Sequence, residues 1–82
     1  MSHDNIHDIA RRANELFKNR PGFFGASVER DNAIRYSFDS DQNASHFVSD
    51  ISLSNKGLGF KYLIEGCDVI EIRKNDSVKR NQ

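Results

Sequence analysis

Near the start of the chain, Ile6, Ile9, Ala10, Ala13, Leu16 and Phe17 recur at steps of three and four. That spacing is the apolar stripe of an amphipathic helix. His7, Asp8, Arg11, Arg12, Asn14, Glu15 and Lys18 occupy the other side. Ser2 or Asp4 is placed to cap the N-terminus, and acidic residues early with basic ones late suit the helix dipole. Asn19-Arg20-Pro21-Gly22 stops the helix, because proline disfavours a helical residue before it. The pattern predicts a helix over 4–19.

The period then changes to two. Phe24, Ala26 and Val28 alternate with small or polar neighbours, and so do Ile34, Tyr36 and Phe38. A three-residue loop Arg30-Asp31-Asn32, with Asn32 left-handed, pairs Val28 with Ile34, Ala26 with Tyr36 and Phe24 with Phe38. Every apolar side chain then shares one face. A two-residue Asp31-Asn32 loop would set Val28 opposite Arg35 and mix the faces.

The segment from Asp39 to Gly57 admits two readings. As a helix over 41–54 it has Ser40 as cap, Ala44, Phe47, Val48 and Ile51 as stripe, and Gly57 as terminator. As a strand, Phe47, Ser49, Ile51 and Leu53 alternate with Val48, Asp50, Ser52 and Ser54. The serines weaken the helix by competing for backbone hydrogen bonds. The capped start and the need to cover a sheet favour it.

A second hairpin closes the pattern. Leu58, Phe60, Tyr62 and Ile64 alternate, as do Ile70 and Ile72 after a Glu65-Gly66-Cys67 bend. A three-residue bend pairs Phe60 with Ile72 and Tyr62 with Ile70 on one face. On the other it pairs Lys61 with Glu71 and Leu63 with Val69, a charge match that supports the register.

The order α-β-β-α-β-β suits an α+β two-layer sandwich: a four-stranded antiparallel sheet with two helices on one face. This is the connectivity of a ferredoxin-like fold whose first strand has moved to the chain end. The alternative, if 41–54 is strand, is an N-terminal helix packed on a five-stranded antiparallel meander. Residues 1–74 are expected to form a single domain, and 75–82, with Val78 as their one apolar residue, a flexible polar C-terminal tail.

Composition adds bounds. The 82 residues are 37% hydrophobic and 29% charged, with six Phe and two Tyr, which describes a folding chain. Twelve basic residues balance twelve acidic ones, so no global attraction to nucleic acid or anionic membrane is encoded. One cysteine, Cys67, permits no intramolecular disulfide, and the polar start carries no apolar signal core. The expected location is cytoplasmic.

Candidate chemistry is sparse. His3 and His7, with Asp4 and Asp8, have the spacing of a divalent-metal pair but want a third strong ligand, and helix-start electrostatics explains the acids. Cys67 lies between Glu65 and Asp68, neighbours that oppose a thiolate. Asn55-Lys56-Gly57-Leu58-Gly59 lacks the Lys-Ser/Thr of a phosphate loop, and no nucleophile elbow is present. No catalytic residue, cofactor or metal is expected.

The expected registers put Leu63 and Val69 side by side on the sheet face away from the helices, ringed by Arg35, Lys61, Glu71 and Arg73. Mixed charge around an apolar centre suits protein contact. The expectation is a non-enzymatic protein-interaction domain (regulator, adaptor or inhibitor) acting through that face, its partner a protein or a second copy as homodimer. The alternative is a nucleic-acid-binding accessory protein contacting phosphates through Arg35, Lys61, Arg73, Lys74, Lys79 and Arg80. Base stacking is not expected, because the predicted rings face the helices.

Overall fold

A computed structural model describes residues 5–73. The first helix, α1 (Ile6–Phe17), begins at Asn5, whose side-chain oxygen accepts from the Asp8 backbone N–H at 2.8 Å. Asn5 therefore takes the capping role expected of Ser2 or Asp4, which lie outside the described residues. Beyond the helix, Gly22 adopts φ 76°, and a Cβ there would collide with the Asp39 side chain. The Asp39 N–H donates to the Gly22 carbonyl at 2.9 Å, which closes the chain entry against the start of the second helix.

β1 (Phe23–Arg30) and β2 (Ala33–Phe38) form a hairpin whose centre has the expected register, Ala26 opposite Tyr36 and Val28 opposite Ile34. Its ends correct the expectation. A bulge between Phe23 and Gly25 sets Phe23, not Phe24, opposite Phe38, and leaves Phe24 73% exposed. The Phe23 ring packs 5.5 Å from Phe38 and 6.3 Å from Phe17. At the turn a second bulge, between Val28 and Arg30, pairs Arg30 with Ala33. The loop is thus the two-residue Asp31-Asn32, and Asn32 is not left-handed. The extra residue reconciles a short turn with a single apolar face, which an unbroken ladder could not do.

The segment that admitted two readings is a helix, α2 (Asp41–Ser54), so the meander is excluded. Ser40 caps it by accepting from the Asn43 N–H at 3.2 Å, and Ala44, Phe47 and Ile51 are its buried residues.

The last hairpin, β3 (Lys61–Glu65) and β4 (Asp68–Ile72), turns on Gly66-Cys67 alone. Gly66 has φ 64°, as the first central position of a tight II′-type turn requires. The register therefore slips one residue from expectation: Tyr62 faces Glu71, Leu63 faces Ile70 and Ile64 faces Val69. A slip of one moves every side chain to the other face. Val69 and Glu71 point toward the helices and are buried, whereas Ile70 and Ile72 point away. β3 also starts at Lys61, which leaves Leu58 and Phe60 in the connection. Phe60 is half-buried instead of central.

The sheet order is β1-β2-β4-β3, with every neighbouring pair antiparallel. This is the order of the permuted two-layer sandwich. Ile34, Tyr36, Phe38 and Val69 meet Ala10 and Ala13 of α1 and Ala44, Phe47 and Ile51 of α2 on one face. Phe47 is the hub, with ring centroids 5.0, 4.8 and 5.1 Å from Phe17, Tyr36 and Phe38. Among the described residues no helix is long and apolar enough to cross a membrane.

Candidate functional site

The sheet face away from the helices is ordered in rows. Ser27, Arg35, Ile70 and Leu63 form one row across all four strands. Ser37, Asp68 and Glu65 flank it on one side, and Ala33, Ile72 and Lys61 on the other. Arg35 donates to Glu29 at 2.8 Å, Asp68 at 2.6 Å and Glu65 at 2.9 Å. These bonds, Glu29 first, raise the guanidinium further above its ordinary pKa, and the same contact holds the Glu29 carboxyl below its own. The methylenes of such long side chains cover apolar neighbours. Ile70 is buried here, while Leu63, on the outermost strand, stays 51% exposed.

Of the residues expected to form the interaction surface, Arg35, Lys61 and Leu63 lie together on this face. Val69 and Glu71 do not, because of the register slip. Arg73 turns toward Glu71, 3.1 Å away, with its guanidinium 4.4 Å from the Phe60 ring. Ile70 occupies the position beside Leu63 expected of Val69.

The two sheet edges differ. The Arg73 N–H donates to the Asn32 carbonyl at 2.7 Å, and the Phe38 N–H to the Cys67 carbonyl at 3.1 Å. These bonds set the ladder phase: odd-numbered residues of β4 address β2, and Asp68, Ile70 and Ile72 address β3. Their partners Glu65, Leu63 and Lys61 bond inward to β4, which leaves the main-chain N–H and C=O groups of Tyr62 and Ile64 pointing out of the sheet. Among the described residues no backbone hydrogen bond reaches β3 from that side. On the opposite edge, the outward main-chain groups of Ala26 are taken by Asn14 of α1, which donates to the carbonyl and accepts from the N–H, both at 2.8 Å. Two bulges distort the rest of β1. One edge is blunted and the other is open.

The inner face holds a polar cluster that sequence reasoning did not anticipate. Glu71, 1% exposed, accepts from the Tyr36 hydroxyl at 3.0 Å and Arg73 at 3.1 Å on one oxygen. Its other oxygen accepts from the Tyr62 hydroxyl at 2.7 Å and Asn55 at 3.5 Å. Both oxygens are satisfied, which is the condition for burying a carboxylate. Burial, then the Glu71 charge, raises the Tyr36 pKa well above the ordinary phenol value. Tyr62 is raised chiefly by burial. A cleft of about 420 Å³ lies above this cluster, lined by Arg12, Leu16, Arg20 and Asp50 among others. Arg20 spans it to Asp50 at 2.8 Å, and the Arg73–Glu71 pair closes its floor. The cluster ties three strands to the end of α2. The sign available in the sequence was Val69-Ile70-Glu71-Ile72, an acid inside an apolar run followed by Arg73.

Cys67 is exposed in the β3–β4 turn. Among the described residues no group of three His, Cys, Asp or Glu could hold a metal ion. His3, Asp4, Lys74, Lys79, Arg80 and the 75–82 tail lie outside the described residues. No protein-family model, curated protein or solved structure matches this chain.

Proposed function

We propose that this chain is a non-enzymatic protein-interaction domain, a regulator, adaptor or inhibitor, that accepts a partner strand on the edge of β3. The observation carrying this reading is the asymmetry of the sheet. Asn14 and two bulges close β1, whereas β3 keeps the main-chain groups of Tyr62 and Ile64 directed outward beside the exposed Leu63 and Ile64 side chains. In strand addition the main chain supplies affinity, and side chains alternating across the new strand supply specificity. Leu63 and Ile70 form the apolar centre, and Lys61, Glu65 and the Arg35 cluster form a rim of both signs. Arg35, already bonded to three carboxylates, has little left for phosphate. The reading places the protein in the cytoplasm, where the exposed Cys67 thiol stays reduced.

Leu63→Glu tests it. Leu63 is half in solvent, so the variant should melt like wild type, exposed changes costing less than about 0.5 kcal/mol. It should lose its protein partner, because the new charge lies at the contact centre. A Leu63→Glu protein that folds and keeps every association would refute the edge as the binding surface.

A further inference from the structure

Resting on that reading, we propose that the strand added to β3 is β3 of a second copy, antiparallel and centred on Leu63, so that two four-stranded sheets become one. The strand is Lys61-Tyr62-Leu63-Ile64-Glu65, opposite in charge at its two ends and apolar between them. Antiparallel pairing about Leu63 sets Lys61 against Glu65 of the second copy, Glu65 against its Lys61, and Leu63 against Leu63. Backbone phase selects the same register. The outward groups belong to Tyr62 and Ile64, and this alignment makes Tyr62 face Ile64 of the second copy, each such pair exchanging two hydrogen bonds. Leu63 then falls in a pair without backbone hydrogen bonds, the kind in which side chains approach most closely.

The competing registers are worse on both counts. Setting Tyr62 against Tyr62, or Ile64 against Ile64, keeps the phase but leaves Lys61 and Glu65 without opposite charges across the seam. Parallel in-register pairing stacks Lys61 on Lys61 and Glu65 on Glu65, which is repulsive. A two-fold contact of this kind is self-complementary and closes at two subunits, because it uses the β3 edge of both copies, and β1 is bulged and held at Ala26 by Asn14. Across the seam the row Ser27-Arg35-Ile70-Leu63 continues into its own reverse. Lys61 and Glu65 also act as gatekeepers, since an edge bearing charge at both ends discourages pairing in other registers.

The test uses the full chain. Wild type should sediment as a dimer, and Lys61→Glu or Glu65→Lys alone should weaken the dimer by about tenfold or more. Mixing those two variants in equal amounts should restore it as a heterodimer, because one charge pair is then reversed, the other is retained, and both are again of opposite sign. In a Cys67→Ser background, Leu63→Cys should oxidise to a covalent dimer, since its Cα would lie about 4.5 Å from its mate, within disulfide range. Lys61→Cys should not cross-link, its mate being about 13 Å away along the strand. Ile64→Pro should fold, its N–H pointing out of the sheet, and be monomeric. A monomeric wild type at several hundred micromolar overturns self-pairing. So does a dimer that ignores the charge variants and fails to cross-link through position 63. If wild type is monomeric, strand addition itself is judged separately: it survives where Ile64→Pro abolishes capture of a different protein, and fails where capture is unchanged.

Discussion

Asn14 holds both outward main-chain groups of Ala26 in its side-chain amide, with each bond 2.8 Å long. The amide turns one of its two N–H donors and its oxygen toward the strand in nearly the spacing of a peptide group, so it occupies the place of a neighbouring strand. Ala10, one turn earlier and buried, is small enough to bring that helix face down to the sheet, and its carbonyl accepts from the same Asn14 nitrogen at 3.1 Å. Among the described residues, β1 is thus closed at Ala26 while the outward main-chain groups of β3 stay open.

Asn14→Ala should leave the Ala26 N–H and carbonyl without protein partners at a partly buried position. The expected cost is about 2 kcal/mol in chemical denaturation. The variant should also form larger assemblies by light scattering, because β1 becomes a second open edge. Unchanged stability and size would mean that Asn14 does not guard the edge.

The Tyr36 and Tyr62 phenols are held protonated, with pKa values raised above 10.0. A group whose folded pKa exceeds its unfolded value stabilises the fold fully below the unfolded value, and that stability is lost as pH rises above it. Stability should therefore be undiminished by these groups at neutral pH and fall from about pH 10 upward. Phenolate absorbance should appear together with loss of secondary structure. A smooth titration near pH 10 in a folded protein would contradict the Glu71 cluster.

Phe47→Ala should cost about 3–5 kcal/mol, comparable to the whole stability of so small a domain. Phe47 is fully buried and meets three other aromatic rings. Phe60→Ala should cost about 1 kcal/mol, since that ring is half-buried and its described ring contact is with the Arg73 guanidinium. Equal losses in the two variants would show that the core is wrongly centred.

Part of the candidate site was legible and part was not. Leu63, Lys61 and Arg35 were identified as outward-facing from alternation alone, and they are. A three-residue bend puts Val69, Glu71 and Arg73 on the outer face, and the two-residue turn that forms does not. A glycine followed by any residue can form a two-residue turn, and Gly66-Cys67 does. Ile70 and Val69 are equally apolar, so hydrophobicity could not choose which of them reaches the core. The supposed Lys61–Glu71 match pointed the wrong way, since Glu71 finds hydroxyl, amide and guanidinium donors on the inner face.

The sequence by itself determined the first helix with its stripe and the two hairpins, and it favoured a Ser40-capped helix over 41–54 that the structure then decided. Periodicity and capping are properties of neighbouring residues, and neighbours in the chain suffice to express them. Tertiary structure decided the bulges at Phe24 and Glu29, the slip between β3 and β4, the burial of Glu71 and the closing of the β1 edge by Asn14. Each of these is a competition between alternatives that local propensity barely separates. The choice falls to partners distant in sequence: Phe38 and Phe17 for Phe23, Tyr36 and Tyr62 for Glu71, and Ala26 for Asn14. Whether a strand edge is open or closed belongs to the same class, because it depends on which helix side chain arrives there once the sheet has formed.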